Sequence, residues 1–222
     1  MTDKIRVLMC EDHALFREGL RAIFRNHPSL EVVGEATNGR EAVEKAKRLR
    51  PDVVLMDLEM PELNGLDATR RIVEAGVGAH VLILTLYDDE EIVARCLDMG
   101  AAGYVLKDGP SAELVTAIEA VWRGNKYLSP RALTRVADYR AKGSRVKTRY
   151  ELLTDREREV LKLLADGLSI KEIAVRLELS VKTVDVHKAN LMRKIGIHDR
   201  SALVKYAIQR KLIRVPVLDG PE

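Results

Sequence analysis

A doubly wound α/β domain with five parallel strands, followed by a small all-helical domain, is the fold that this 222-residue sequence predicts. Three observations predict it. Over the first 125 residues, short apolar runs alternate five times with amphipathic helical stretches, the pattern of consecutive βα units. Over residues 150–215 the β pattern is gone and only helical periodicity remains, in four segments with start and stop signals. The charge divides at about the same place. Residues 1–122 hold 14 Lys and Arg against 22 Asp and Glu, residues 123–146 hold 7 against 1, and residues 147–222 hold 16 against 11. An acidic first part joined to a basic remainder implies that only the second part meets a polyanion.

Each element follows from its own residues. Residues 5–10 form an apolar strand, and residues 13–25 a helix with the stripe Leu15, Phe16, Leu20, Ile23 and Phe24. Residues 31–36 are a shorter strand. Asn38 caps a helix carrying Ala42, Val43, Ala46 and Leu49, and Pro51 ends it. Residues 53–56 are continuously apolar, as in a strand buried on both faces, and run straight into Asp57. Residues 65–74 are helical with Leu66, Thr69, Ile72 and Val73 inward. Residues 80–85 are a strand, 90–99 a helix, 102–106 the last strand. Residues 111–122 are a helix with Leu114, Val115, Ile118 and Val121 inward. Right-handed crossovers place helices on both faces of the sheet. Ser129-Pro130 then opens a short helix over 131–140, and the basic, aperiodic stretch 142–149 reads as a flexible linker.

No apolar run reaches membrane-spanning length and the N-terminus lacks an apolar leader core, so the expected location is cytoplasmic, with no membrane partner. Cys10 and Cys96 each sit in an apolar segment and read as reduced packing residues.

The chemistry gathers at the strand ends. Glu11 and Asp12 follow the first strand, Asp57 the third, and Lys107 the fifth, while Thr85 closes the fourth. In an open α/β sheet these positions share one edge, where ligands bind. Three carboxylates converging there repel one another unless a cation is present, and an all-oxygen site suits a hard divalent ion such as Mg²⁺. Lys107 and the Thr85 hydroxyl add a cation and a donor. The set is suited to a carboxylate that becomes a phosphoanhydride, with Asp57 attacking in line. A flavodoxin-type cofactor module shares the sheet but wants a Gly/Ser/Thr-rich phosphate loop where Glu11-Asp12-His13 stands.

Residues 4–123 resemble the receiver domain of a two-component response regulator, on Glu11-Asp12, Asp57 with Met60-Pro61 and Gly65, Thr85, Tyr104 and Lys107. The resemblance implies the flavodoxin-like strand order 2-1-3-4-5. It implies that Asp57 is phosphorylated from a sensor histidine kinase's phosphohistidine. It implies that Asp12, Asp57 and the Glu59 backbone carbonyl bind Mg²⁺ (or Mn²⁺), with Glu11 assisting through water. Thr85 and Tyr104 are the implied switch pair: the hydroxyl moves toward the new oxygens and the ring fills the space left. Leu86 stands where a small residue is frequent, Asp108 where proline is frequent, and Glu59 and Tyr87 flank the site and bear on dephosphorylation.

In the second half, Thr154-Asp155-Arg156-Glu157 and Ser169-Ile170-Lys171-Glu172 have capping-box form. Ser180 caps a third helix that Gly196 stops near Ile195, and a fourth runs over 199–210 with Leu203, Val204, Ala207 and Ile208 as its stripe. Two helices joined by the three residues 178–180 match a helix-turn-helix. On the third helix Val181, Val184, Leu191, Met192 and Ile195 share one side. Lys182, Val186, Ala189 and Arg193 lie opposite, with Asp185 at the edge, as a stripe suited to the major groove. Lys188 falls on the inner side, so its stem must snorkel.

This segment resembles the LuxR-type helix-turn-helix. The matching residues are Leu153-Thr154, Arg156-Glu157, Val160-Leu161, Gly167, Lys171-Glu172-Ile173-Ala174, Leu177, Ser180, Thr183-Val184, His187 and Lys194-Ile195-Gly196. Joined to a receiver, it is similar to the NarL/FixJ subfamily. The expected division is a receiver at 1–125, a connector and linker at 126–149, the DNA-binding domain at 150–215 and a tail at 216–222. The implied DNA contacts are Lys171, Lys182, Thr183, Asp185, Val186, Lys188, Ala189 and Arg193, and the implied dimer face is the Leu203/Ala207 side. Ile170 stands where asparagine is frequent and Asp185 where a base is frequent.

The expected function is a phosphorylation-controlled transcription regulator: a dimer on promoter DNA when phosphorylated, with RNA polymerase a partner if it activates. It is not expected to turn over an external substrate. The rivals are a metal-dependent hydrolase, for which the sequence offers no general acid or substrate pocket, and a DNA binder indifferent to phosphate.

Overall fold

The computed structural model of the chain describes residues 4–141, 149, 150, 152–197, 199–209 and 212. Of the expected linker at 142–149 only Arg149 is described, and the tail at 216–222 lies outside the described residues. The chain divides into two compact units, residues 1–144 and 145–222.

The first unit runs β1 (Ile5–Cys10), α1 (Ala14–Arg25), β2 (Leu30–Ala36), α2 (Gly39–Leu49), β3 (Val53–Met56), α3 (Gly65–Glu74), β4 (His80–Thr85), α4 (Glu90–Asp98), β5 (Gly103–Leu106), α5 (Ser111–Trp122), β6 (Tyr127–Leu128) and α6 (Pro130–Ala141). The sheet order is β2-β1-β3-β4-β5-β6, and every neighbouring pair is parallel. Strand alternation builds two cores. Leu8, Cys10, Val54, Met56, Ile83 and Tyr104 face the side covered by α2, α3, α4 and α6. Val7, Met9, Val53, Leu55, Leu82 and Val105 face α1 and α5. Both cysteines are free and buried.

The strand count corrects the sequence reading. Five strands were expected, and a sixth pairs Tyr127 and Leu128 with Gly103 and Tyr104. Two residues are too few to show periodicity. Residues 126–141 are therefore part of the first unit and not an external connector: Ala132 and Val136 of α6 are buried in the core that holds Tyr104. Two further expectations fail on exposure. Leu15 is 84% exposed and Val73 is 41% exposed, because each lies at the margin of its helix's apolar stripe.

Asn38, Asn64 and Asp89 cap α2, α3 and α4 through side-chain oxygens that accept backbone N–H bonds. Gly65 opens α3 for a different reason. A Cβ there would lie 1.8 Å from the Asp57 carbonyl oxygen, so only glycine lets α3 start against the strand end that carries the site.

The second unit holds α7 (Asp155–Ala165), α8 (Ile170–Leu177), α9 (Val181–Ile195) and α10 (Arg200–Gln209). Both expected capping boxes are formed, at Thr154/Glu157 and Ser169/Glu172. Buried Glu157 also accepts from Lys194 at 2.6 Å, which ties the start of α7 to the end of α9. Gly196, at φ 71°, ends α9. A second correction concerns α10. Leu203 and Ala207, expected on a dimer face, are 1% and 0% exposed. They lie in this unit's own core with Val160, Leu161 and Leu191. Positions four apart form one face, and here that face is spent on holding α10 to the domain.

Candidate functional site

The sheet sets the positions of the acidic residues before any side chain does. Backbone N–H groups of Glu11, Asp57 and Lys107 donate to the carbonyls of Ala36, Cys10 and Thr85, each at 2.9 Å. These bonds tie the end of β1 to β2, of β3 to β1 and of β5 to β4, along one edge of the sheet. Glu11 and Asp57 are buried, at 1% and 3% exposure. The Lys107 ammonium bridges them, 2.6 Å from Glu11 Oε2 and 2.8 Å from Asp57 Oδ2. One donor atom from each of Glu11, Asp12, His13 and Asp57 falls within a 4.8 Å group. Desolvation pushes the Asp57 carboxyl up to about 6, against the pull of Lys107; the Glu11 charge raises it further, and the Glu59 N–H opposes.

Two residues that sequence reasoning missed complete the pocket. His13 Nδ1 lies 3.0 Å from Glu11 Oε1 and 3.1 Å from Asp12 Oδ1. Its place directly after Glu11-Asp12 was the available signal. Phe16 carries the Lys107 ammonium over its ring, 4.6 Å from the centroid. That contact pairs two elements far apart in sequence and leaves no periodic trace. Glu59 differs in detail: its carboxylate accepts from the Tyr87 hydroxyl, so its side chain stands outside the converging donors. Its backbone carbonyl remains the atom the family resemblance implies.

Thr85 is buried at 1% exposure, and its hydroxyl accepts weakly from the Tyr87 N–H at 3.4 Å. Tyr104 is fully buried and donates to the Tyr87 carbonyl at 2.7 Å. In this conformer the ring already occupies the interior. Leu86, between the two loop partners, is 70% exposed. Asp108 forms an ion pair with Arg131 of α6 at 2.7 Å.

A donor set of three carboxylates, two of them bridged by one lysine, fits a hard divalent cation. Carboxylate oxygens are its preferred ligands, and the excess negative charge calls for one. The same set disfavours a bare phosphate.

On the second unit, Lys182, Asp185, Val186, Ala189 and Arg193 are exposed along α9, with Lys171 exposed on α8; Thr183 and Lys188 are half-buried. Val184, Leu191 and Ile195 point into the core, whereas Val181, expected with them, is 45% exposed. Glu178, Leu179 and Ser180 form the turn between α8 and α9, with Glu178 in the left-handed region at φ 55°. The Thr183 hydroxyl is paired with Ser180 Oγ at 2.7 Å, which spends it on the cap.

A buried carboxylate cluster on a doubly wound parallel sheet, joined to a capped helix-turn-helix, is the build of a response regulator. Residues 7–119 match the family described as response regulator receiver domain. Residues 151–207 match the luxR family of bacterial regulatory proteins. The oxygen regulatory protein NreC of Staphylococcus carnosus is 38% identical over 215 residues, covering 94% of this chain and 99% of that protein. Among solved structures, RcsB of Salmonella typhimurium matches with a TM-score of 0.58 at 27% identity, covering 93% of this chain and 99% of that one. ChrA, the response regulator of a heme-sensing two-component system, matches at 0.53 and 35% identity, covering 95% and 99%. The chain belongs to the NarL family of response regulators, with a receiver domain and a LuxR-type DNA-binding domain. Among the described residues, no helix is long and apolar enough to cross a membrane.

Proposed function

We propose that Asp57 accepts a phosphoryl group from the phosphohistidine of a sensor histidine kinase, and that this controls promoter binding by α9. The observation that carries the reading is the pair of buried carboxylates, Asp57 and Glu11, bridged by Lys107 at 2.8 and 2.6 Å. Such a site holds a nucleophile beside the cation that receives phosphoryl oxygens. An Asp57 carboxylate oxygen bonds to phosphorus while the N–P bond breaks, and the imidazole leaves with the electron pair. Lys107 then neutralises the new oxygens, and the Thr85 hydroxyl donates to one of them. Asp12, Asp57 and the Glu59 carbonyl, with Glu11 assisting, would hold Mg²⁺ (or Mn²⁺), and a bound ion would supply charge neutralisation for the transferring group.

On the output side, Lys182 and Arg193 reach phosphates, and Val186 and Ala189 offer apolar surface to thymine methyls. Lys171, Thr183, Asp185 and Lys188 flank them. RcsB has been solved bound to promoter P1flhDC in the presence of a phosphomimetic, at 27% identity and a TM-score of 0.60 to this chain. A structure of two RcsB dimers on two parallel DNAs, 26% identical with a TM-score of 0.57, supports a dimeric output here. With Leu203 and Ala207 in the core, the dimer forms through other residues.

The test is Mg²⁺-dependent labelling of Asp57, with promoter binding measured on the same samples. Wild type is expected to gain label and change affinity; Asp57→Asn is expected to do neither. An Asp57→Asn protein that, given donor, binds promoter as tightly as phosphorylated wild type would falsify the reading.

A further inference from the structure

Two loops of the site reach past it and grip α6. Asp88 stands three residues after Thr85, and Asp108 directly follows Lys107. Asp88 accepts from Arg135 Nε at 2.9 Å and Arg135 Nη2 at 3.0 Å, and also from Arg131 Nη2 at 2.9 Å. Arg131 turns its other terminal nitrogen, Nη1, to Asp108 at 2.7 Å. One guanidinium therefore spans both loops. Arg131 and Arg135 are four apart and share a helix face. Ala132 and Val136, beside them, enter the core that holds Tyr104. The start of α6 is fixed to the strand that carries Tyr104, because the Ser129 N–H donates to the Tyr104 carbonyl at 2.9 Å.

A lone exposed ion pair contributes little. Here one carboxylate of 18% exposure takes a two-armed fork and a second guanidinium, and networks of this geometry hold better than single pairs. The Arg135 hydrogen bonds, with Arg131 behind them, hold the Asp88 carboxyl down to about 2, so it stays charged at any working pH.

We propose that this grip is a latch that reports the state of Asp57 to α6, the last described helix of the first unit, and that phosphorylation opens it. The inference rests on the reading of Asp57 as a phosphoacceptor. A phosphoryl group there draws in the Thr85 hydroxyl and the Lys107 ammonium, and each latch carboxylate is on the same short loop as one of them. Tyr87, between Thr85 and Asp88, is held by the Tyr104 hydroxyl at 2.7 Å, so movement of the loop is transmitted along the backbone to Asp88. A displacement of about 1 Å takes a 2.9 Å bond beyond hydrogen-bond range. The helix then keeps its apolar anchor at Ala132 and Val136 without the arginine bonds to the two loops.

The experiment is hydrogen–deuterium exchange on the α6 peptide of the full chain, with Mg²⁺ and with or without acetyl phosphate. Intact mass on the same samples counts phosphoryl groups. In wild type, α6 amides are expected to exchange about tenfold faster once Asp57 is phosphorylated. Asp88→Ala is expected to show that faster exchange without donor and to gain nothing more with it. Asp88→Arg combined with Arg131→Asp and Arg135→Asp is expected to restore slow exchange. Unchanged or slower α6 exchange in phosphorylated wild type overturns the proposal, as does an Asp88→Ala protein that matches resting wild type. Absence of any phosphoryl mass overturns the acceptor reading itself, and the donor-free Asp88→Ala arm tells that failure from failure of the latch.

Discussion

Asp57→Asn should stabilise the first unit, and by an amount the site's electrostatics sets. The Asp57 carboxyl titrates near 6 in the fold against 3.8 in an unstructured chain, chiefly because it is buried. Below about 3.8 it is protonated in both states and contributes nothing. Between 3.8 and about 6 the folded chain binds the extra proton, so stability falls as pH rises. Above about 6 the full cost is present. At pH 7.5 it comes to about 3 kcal/mol, and at pH 4.5 to about 1 kcal/mol. The attraction of Lys107 is already contained in that value. A neutral asparagine of the same size removes the cost. The assay is urea unfolding in EDTA, read by Trp122, the chain's single tryptophan, which closes α5 and reports the first unit. The midpoint is expected to rise by about 1–2 M urea at pH 7.5 and by about a third of that at pH 4.5. Adding Mg²⁺ should narrow the gap, since the ion binds only the folded wild-type cluster. A variant no more stable than wild type at pH 7.5, or a gain equal at both pH values, refutes the assignment of Asp57 as a desolvated, strained carboxylate.

Three further outcomes are expected. Lys107→Met leaves Glu11 and Asp57 buried without their shared cation, and phosphoryl uptake from a small donor should fall by about a hundredfold or more; a rate within about tenfold of wild type, by label incorporation, excludes the role given to Lys107. Leu203→Ala should cost about 2–4 kcal/mol of stability in the second unit. Urea unfolding by far-UV dichroism checks this, and unchanged stability with a lost dimer in sedimentation would return Leu203 to an interface. Lys182→Ala and Arg193→Ala should each weaken promoter binding evenly across sequences and reduce the salt slope by about 0.9. A change of preferred sequence in place of a change of slope would show that these side chains read bases.

Legibility in the sequence followed physical range. The β3 run and Asp57 were readable because burial on both faces leaves an unbroken apolar segment. Glu11, Asp12, Thr85 and Lys107 were readable because topology alone sends strand ends to one edge. The capping boxes at Thr154 and Ser169 were readable because they are local hydrogen bonds between residues three apart. What failed was long-range or too short. Phe16 beneath Lys107 joins α1 to the loop after β5, and no pattern within either segment announces it. The two-residue β6 carries no period, so the sheet seemed to end at β5. The α10 stripe was correctly apolar, but an apolar stripe does not say whether its partner is the same chain or another. Leu203 and Ala207 show that here it is the same chain.

The sixth strand bears on how this receiver is isolated. Fragments that stop where the βα alternation stops, at residue 125, would strip β6 from the outer side of β5 and uncover the wall that Ala132 and Val136 close. A bare parallel edge beside exposed apolar side chains is a template for another chain. Self-association of such a fragment would then measure the cut and not the signal. A fragment carried through Ala141 keeps that edge covered, and its oligomeric state can be read as the receiver's own.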